Sequence, residues 1–199
     1  ERDARIVPLL EQMRDAYGGR LSWIEDDALK VDEQDLLRGG RIIIASNLPY
    51  NISTELLVKW LTATPRYWTR LVLMFQREVG DRILAAPGSK TYGRLSVLAQ
   101  AASSPSLGFH LPARAFTPPP KVDSSVLVFE ATPMRIENTK ALEQVTAAAF
   151  GQRRKMIRST LKPLYTNRLG DVLEEIGLEE TARAETLTVE DFVALAGAL

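Results

Sequence analysis

The sequence contains no cysteine and a single histidine, His110. Disulfides and thiolate metal sites are therefore excluded, and the absence of cysteine fits a reducing compartment such as the cytoplasm. One histidine gives little basis for a histidine-rich metal cluster or for a Ser-His-Asp triad. We therefore expect no metal site.

Long apolar runs and an excess of one charge are also missing. No run approaches the roughly 18 apolar residues of a membrane span. The first ten residues, ERDARIVPLL, carry charges where a secretory signal has its apolar core. Basic and acidic residues number 25 each, so the formal net charge is zero. Nucleic-acid binding cannot be deduced from that total and would have to come from local clusters of charge.

The composition is that of an ordinary globular protein: 199 residues, 45% hydrophobic and 25% charged. Predicted helices and strands alternate up to about residue 100, which indicates an α/β fold with βαβ units and a parallel sheet. Two consecutive strands follow, which favour an antiparallel addition to that sheet. The pattern is helical from residue 133, so we predict a domain of residues 1–132 and a helical domain of residues 133–199.

The predicted elements follow from hydrophobic periodicity and capping residues. Strands are expected at 20–25, at 41–46 (covered on both faces), at 70–76, and within 106–112 and 121–131. Helices are expected at 2–17 (ended by Gly18 and Gly19), from Ser53 (capped by Ser53 or Thr54), and at 77–85, 93–103, 138–150, 152–164, 168–176 and 188–198.

The turn after the predicted strand 41–46, SNLPYNIS, combines an amide, a proline and an aromatic ring. The side-chain oxygen of Asn47 and the carbonyl of Pro49 can both accept hydrogen bonds from one exocyclic amine. Pro49 has no N–H to disturb that acceptor pattern. Tyr50 can stack on a flat base, which is worth roughly 1–3 kcal/mol. An Asx-turn with Tyr50 packed in the core explains the same residues equally well.

Two acidic residues stand where ligands bind in open α/β sheets, beyond the carboxyl ends of the strands. Glu1 precedes a predicted helix, and Asp27 follows the predicted strand 20–25. Carboxylates suit ribose hydroxyls and an adenine amine, all of which donate hydrogen bonds. A helix cap is the commoner explanation of Asp27 taken alone, and Glu1 alone indicates almost nothing.

The segment FTPPPKVDSSVLVF, residues 116–129, begins with an aromatic ring and three successive prolines. Phe116 before a stiff loop could close the second face of a base, although a buried phenylalanine is the commoner explanation. Lys121 could contact phosphate or only solvent.

A basic segment, FGQRRKMIRSTLK, occupies residues 150–162 with no acidic residue in it. Three of its cations are spaced four apart and would share one face of the predicted helix. Such a stripe could bind phosphates, but charge runs are usually solvated helix faces. Its cations are Arg153, Arg154, Lys155, Arg158 and Lys162.

Four stretches together resemble one family, the bacterial small-subunit rRNA adenine dimethyltransferases. They are SNLPYNIS, FTPPPKVDSSV, FGQRRKMIRSTLK and RAETLTVEDFVALA, and the resemblance covers essentially all 199 residues. It implies a Rossmann-like class I methyltransferase domain that uses S-adenosylmethionine, followed by a small helical domain. It also implies N6,N6-dimethylation of two adjacent adenosines in a hairpin loop near the 3′ end of 16S rRNA, and a role of a monomer in small-subunit maturation.

The resemblance assigns roles to individual residues. The Asn-Leu-Pro-Tyr turn of the family holds the target adenine, and the phenylalanine of its F-x-P-x-P loop packs on that base. The implied catalytic residues are Asn47, Leu48, Pro49, Tyr50 and Phe116. The implied cofactor-binding residues are Glu1 for the ribose, Asp27 and Ala28 for the adenine, and Asn47. The implied RNA-binding residues are Lys121 and the five cations of residues 153–162.

The sequence departs from the family pattern at its start. Family members begin with a basic segment, a strand and a G-x-G-x-G turn, whose backbone cradles the methionine end of the cofactor. Here Gly18 and Gly19 follow a predicted helix, so they cannot replace that turn. We therefore expect a fragment that binds S-adenosylmethionine weakly or not at all, with an active full-length parent.

Two other functions stay open at this stage. One is the related 23S rRNA adenine methyltransferase of the macrolide-resistance type. The other is a non-catalytic, RNA-binding factor of ribosome assembly. The Asn-Leu-Pro-Tyr-Asn form and the basic segment favour the small-subunit enzyme over the 23S enzyme. The missing glycine-rich turn favours the non-catalytic factor for this chain, whereas the intact Asn-Leu-Pro-Tyr turn favours a catalytic parent.

Overall fold

The computed structural model describes residues 1–36, 40–133 and 138–199. The chain forms two compact units, residues 1–40 and residues 41–199. Each unit is described by itself. Within the described ranges, no helix is long and apolar enough to cross a membrane.

In its described residues, 1–36 and 40, the first unit contains two α-helices, α1 (Val7–Ala16) and α2 (Glu33–Leu36). α1 is followed by Gly18 and Gly19 at φ 60° and 75°. Glycine adopts this left-handed backbone conformation without strain. The predicted end of the helix at these two glycines is therefore confirmed. The predicted strand 20–25 is wrong. Two backbone bonds join this stretch to Glu1, from the Glu1 amine to the Ile24 carbonyl at 2.9 Å and from the Asp26 N–H to the Glu1 carbonyl at 3.0 Å. A strand needs a longer ladder than that.

The second unit is built on a four-stranded sheet in the order β1-β2-β4-β3. β1 and β2 are parallel, and β4 is antiparallel to both β2 and β3, as predicted for the final two strands. The strands are β1 (Ile42–Asn47), β2 (Trp68–Gln76), β3 (Ser103–Leu111) and β4 (Ser124–Ala131).

One end of this sheet brings four strand ends together. Ser124, the first residue of β4, lies opposite Gln76 at the end of β2 and opposite Leu111 at the end of β3. Asn47, the last residue of β1, lies opposite Met74. The loops that follow β1 and precede β4 therefore leave the sheet from the same end, where open α/β sheets bind ligands.

Three helices accompany the strands: α3 (Ser53–Leu61), α4 (Arg77–Ile83) and α5 (Arg94–Ala102). β1, α3 and β2 form the predicted βαβ unit. The predicted cap of α3 is wrong, because Ile52 occupies the cap position and the Ser53 hydroxyl bonds to the Tyr50 carbonyl instead. The prediction that β1 is covered on both faces is also wrong, since Ile43 is 61% exposed.

The helical pattern after residue 138 is confirmed, with five α-helices in the described range. They are α6 (Thr139–Gly151), α7 (Ile157–Thr160), α8 (Lys162–Tyr165), α9 (Leu169–Ile176) and α10 (Val189–Gly197). Their apolar side chains share one core with α5, including Val97, Leu142 and Phe192. The domain boundary near residue 133 stays a prediction; it directly precedes residues 134–137, which lie outside the described residues.

The predicted single helix 152–164 is wrong. Residues 152–155 form a turn, and Met156 is extended at φ −70° and ψ 149°. Met156 pairs with Arg183 in an antiparallel bridge, and the Ile157 N–H donates to the Ala182 carbonyl at 2.8 Å. These long-range backbone bonds replace the local ones that a continuous helix would make.

Candidate active site

The turn that follows β1 presents an amide to solvent. Asn47 is exposed at the end of β1, whereas Leu48 is buried and anchors the turn in the core. The Asn47 side chain makes no hydrogen bond within the described part of the chain, so the Asx-turn geometry is not what holds this segment. The exposed side chain therefore keeps an acceptor oxygen and a donor nitrogen for a ligand.

Two hydrogen bonds fix Tyr50, one at its side-chain hydroxyl and one at its backbone carbonyl. Its hydroxyl lies 2.7 Å from the hydroxyl oxygen of the buried Ser124, and the Ser53 hydroxyl donates to its carbonyl at 3.0 Å. The ring is half-buried and does not belong to the fully buried core. An aromatic ring held in this way beside an exposed amide suits the stacking of a planar ligand.

The two carbonyls of the turn differ in their hydrogen bonds. The Pro49 carbonyl accepts the Ile52 N–H at 3.1 Å. The Leu48 carbonyl has no hydrogen-bond partner among the described residues. Because a carbonyl oxygen has two lone pairs, Pro49 keeps one acceptor position and Leu48 keeps both.

Phe116 lies in a loop that closes on itself at the same end of the sheet. The Asp123 carboxylate accepts the Ala113 N–H at 2.9 Å, across a separation of 10 residues. The Asp123 carbonyl accepts the Arg77 N–H at 2.9 Å, which ties the loop to the start of α4. Phe116 is half-buried, and Lys121 is exposed in the same loop.

The predicted ribose-binding and adenine-binding residues belong to the first unit. One carboxylate oxygen of Glu1 accepts the Asp3 N–H at 2.7 Å and the Arg2 N–H at 2.8 Å. These two bonds lower the pKa of the Glu1 carboxyl, the bond from Asp3 most. Asp27 accepts the Leu29 N–H at 3.0 Å and lies 3.7 Å from the Arg2 guanidinium, so it does cap a turn.

A cavity of about 490 Å³ lies beside these residues. Glu1, Ala28 and Asp26 line it, together with Trp23 and Ile24, whereas Asp27 does not. The sequence analysis does not predict Asp26 as a site residue, although the acidic doublet Asp26-Asp27 could have indicated it. The prediction that Asp27 follows the end of a strand is wrong, because residues 20–25 do not form a strand.

The cations of the basic segment fall into two groups. Arg153 is half-buried, and its guanidinium donates to the Glu185 carboxylate at 2.7 Å and to the Ser89 carbonyl at 3.2 Å. The other four are exposed: Arg154, Lys155, Arg158 and Lys162. They do not form a stripe on one helix, because α7 and α8 are separate. Arg158 and Lys162 line a cavity of about 520 Å³, together with Ser159, Thr166 and Glu180.

A mixed sheet with a βαβ unit, and an exposed amide and aromatic ring beyond its end, is the arrangement of a Rossmann-like α/β fold. Two solved structures share the fold. The crystal structure of a dimethyladenosine transferase from Plasmodium falciparum matches with a TM-score of 0.81 and 24% identity, over 98% of this chain and 78% of that one. The 23S rRNA methyltransferase ErmE matches with a TM-score of 0.66 and 20% identity, over 100% of this chain and 80% of that one.

Sequence comparison is more specific. The family model described as ribosomal RNA adenine dimethylase matches residues 1–199, and the chain belongs to that family. A ribosomal RNA small subunit methyltransferase A of Maricaulis maris is 48% identical, over 100% of this chain and 71% of its own length. The protein of the same name from Dinoroseobacter shibae is 50% identical, over 98% of this chain and 71% of its own length.

Proposed function

We propose that this protein dimethylates N6 of two adjacent adenosines in the 3′-terminal hairpin loop of 16S rRNA, as a monomer acting in the cytoplasm during small-subunit maturation. The observation that carries the proposal is the exposed amide of Asn47 beside the doubly anchored ring of Tyr50. The relatives named small subunit methyltransferase, at 48% and 50% identity, support the choice of substrate.

Asn47 would make the target nitrogen reactive by holding its hydrogens. The lone pair of adenine N6 is delocalised into the ring, which makes it a poor nucleophile. An amide oxygen and a main-chain carbonyl that accept its two N–H bonds favour a pyramidal nitrogen with a directed lone pair. Positioning of this kind supplies most of the rate when the methyl donor is already activated. The excess proton then passes to water.

The second acceptor is better assigned to Leu48 than to Pro49. The Pro49 carbonyl already accepts the Ile52 N–H at 3.1 Å, whereas the Leu48 carbonyl has both lone pairs available in the described structure. Leu48 is also adjacent to Asn47 and buried, so its carbonyl is firmly placed.

Tyr50 and Phe116 would sandwich the base. Both rings are half-buried, and both belong to segments anchored at the same end of the sheet. A base in a single-stranded loop leaves its neighbours at low cost, and stacking on aromatic rings compensates for that loss. Asn47 and the two rings would thus select a flat base with an exocyclic amine.

The cavity of the first unit fits the adenosine part of S-adenosylmethionine. Glu1 and Asp26 offer carboxylate acceptors to hydroxyl and amine donors, and Ala28 and Trp23 offer apolar surface. Asp27 would support this wall through its bond to the Leu29 N–H. When bound, S-adenosylmethionine supplies an electrophilic methyl group.

The chain as given should bind this cofactor weakly, because no G-x-G-x-G turn follows a strand in its sequence. Isothermal titration of the 199-residue chain with S-adenosylmethionine measures the affinity. We expect a dissociation constant well above the micromolar range. Micromolar binding by the chain would contradict the expected weak binding and leave the catalytic assignment of Asn47 standing.

The exposed cations Arg154, Lys155, Arg158 and Lys162 would bind rRNA phosphates, with Lys121 contacting the strand near the target base. Arg153 would contribute by ordering this surface through its bonds to Glu185 and Ser89. The zero net charge of the chain does not oppose this, since phosphate binding depends on local charge.

Replacement of Asn47 by alanine tests the proposal. In the full-length protein, Asn47→Ala should abolish methyl transfer to small ribosomal subunits and leave rRNA affinity within about twofold, because phosphate contacts dominate affinity. Primer extension across both rRNAs reports where methylation occurs.

Asn51→Ala, in the same turn and equally exposed, is the matched control and should retain activity. Wild-type turnover of the Asn47 variant would rule out the assigned role. Methylation of large-subunit rRNA in place of small-subunit rRNA would contradict the assignment of 16S rRNA as the substrate.

A further inference from the structure

We propose that Asp123 and Ser124 are positioning residues, and that this consecutive pair sets the separation of the two aromatic rings between which the target base would lie. The inference rests on the proposed function, in which Tyr50 and Phe116 contact the base. Neither Asp123 nor Ser124 is itself expected to touch the substrate.

Ser124 holds the Tyr50 side of the site. Its side chain is fully buried, and its hydroxyl oxygen lies 2.7 Å from that of Tyr50. The Tyr50 ring has only two side-chain torsions. A hydrogen bond at its hydroxyl, together with the Ser53 bond at its carbonyl, therefore leaves the ring little freedom. Without Ser124, the ring would keep its backbone anchor but lose its fixed direction.

Asp123 holds the Phe116 side. Its carboxylate accepts the Ala113 N–H at 2.9 Å and closes the loop in which Phe116 lies three residues after Ala113. Its own carbonyl accepts the Arg77 N–H at 2.9 Å, so the base of the loop is tied to α4. Three prolines inside the loop reduce its remaining freedom.

The sheet holds the backbone of Asp123 and Ser124 in a fixed position. Ser124 lies opposite Gln76 on one side and opposite Leu111 on the other, so backbone ladders hold it from both neighbouring strands. Strand backbones move less than loops do. The turn at 47–50 and the loop at 112–123 are far apart in sequence. Both are thereby anchored to the same rigid position of the sheet. A shift of about 1 Å in such a site can cost a factor of about 100 in rate.

A double-mutant cycle on the full-length protein tests the Ser124 part. Ser124→Ala and Tyr50→Phe each remove one side of the same hydrogen bond. Each should lower kcat about tenfold, with KM for the ribosomal subunit within about twofold, because ring orientation acts on the bound state. The double variant should be no slower than the single variants, since both act through one bond.

Ser125→Ala is the matched control. Ser125 is the next residue, is equally buried, and bonds to the Nδ1 atom of His110 at 2.9 Å, away from Tyr50. It should leave kcat unchanged. Full activity of Ser124→Ala, or a double variant whose losses multiply, would overturn the role of Ser124. If Ser124→Ala does not fold, Tyr50→Phe alone still tests whether this hydrogen bond affects kcat.

Asp123 is tested by rescue. Asp123→Ala should lower kcat about tenfold, whereas Asp123→Asn retains an acceptor oxygen for the Ala113 N–H and should recover activity to within about twofold. Equal loss in both variants would overturn the assignment.

The NMR linewidth of the Tyr50 ring in isotopically labelled protein gives a readout that does not depend on activity. Ser124→Ala should mobilise the ring, and an immobile ring in that variant would refute the inference. Activity of Asn47→Ala would instead refute the proposed function and leave this structural readout unchanged.

Discussion

Three tyrosines illustrate how position decides the role of one residue type. Tyr50 is half-buried and bonded to Ser124 at a surface site. Tyr92 is buried, and burial raises the pKa of its hydroxyl, with the nearby Asp191 and Glu190 adding to the rise. Tyr165 is buried and donates to the Leu195 carbonyl at 2.6 Å. Ionisation of either of these two buried hydroxyls would destabilise the fold.

Tyr165 yields a prediction about pH. Burial raises its pKa from 10.0 to about 12, against a smaller opposing effect of Arg168. Because the pKa is higher in the folded state, the contribution of this hydroxyl is complete below pH 10 and is lost as the pH rises from 10 to about 12. Tyr165→Phe should lower the free energy of unfolding by about 1–3 kcal/mol at pH 7, because the Leu195 carbonyl loses its donor.

Urea unfolding at a series of pH values checks this prediction. Above pH 10 the wild-type protein should lose stability more steeply than Tyr165→Phe, and the two curves should converge. Parallel curves through that range would show that the hydroxyl is not protected from ionisation.

At the scale of elements, the loop between α4 and α5 is held to the helical region by polar and aromatic contacts. The Gly88 N–H donates to the Glu185 carbonyl at 2.7 Å, and Arg153 bonds to both Glu185 and Ser89. The Tyr92 ring meets Phe150 edge-on at 5.9 Å between centroids, and Phe150 stacks on Phe192 at 5.3 Å. The part of the basic segment nearest α6 is therefore rigid.

The start of α10 yields a prediction about stability. The Thr188 hydroxyl accepts the Asp191 N–H at 3.1 Å, and the Asp191 carboxylate accepts the Thr188 N–H at 2.8 Å. Thr188→Ala should lower the free energy of unfolding by about 1 kcal/mol, because the Asp191 N–H at the helix start loses its acceptor. Chemical denaturation measures it, with the exposed Thr181→Ala as the control. Equal stability of the two variants would show that the capping box contributes nothing.

At the scale of the whole molecule, equal numbers of acidic and basic residues conceal an uneven distribution. The exposed cations of residues 154–162 precede a run of exposed carboxylates in the same helical region. Those carboxylates are Asp171, Glu174, Glu175, Glu179 and Glu180. RNA phosphates bound in this region should contact the cations and avoid the carboxylates, because like charges repel.

The salt dependence of rRNA binding tests this arrangement. Replacing both Arg158 and Lys162 by glutamine should reduce the slope of log affinity against log salt by about 1.4–1.8, since two phosphate contacts are lost. Arg70→Gln is the control, because Arg70 lies on β2, outside the basic segment, and pairs with Glu130 at 2.7 Å. Filter binding between 50 and 300 mM salt measures the slopes. An unchanged slope in the double variant would remove these residues from the RNA interface.

The sequence by itself determined the features that depend on local signals. The βαβ unit around α3, the antiparallel final strands and the Thr188 cap follow from periodicity and from residues within one turn of each other. The position of the Asn47 turn directly after a strand also follows from the sequence, whereas its four residues are explained equally well by an Asx-turn with Tyr50 in the core. Such signals act over a few residues, where backbone preferences and side-chain caps are decisive.

Only the tertiary structure decided the features that depend on distant partners. Met156 leaves the helical conformation because it pairs with Arg183, and Arg153 turns to Glu185 rather than to solvent. The bond between Tyr50 and Ser124 joins residues 74 positions apart. No local pattern encodes such contacts, because they form only after the strands align, and their energy then overrides local propensity.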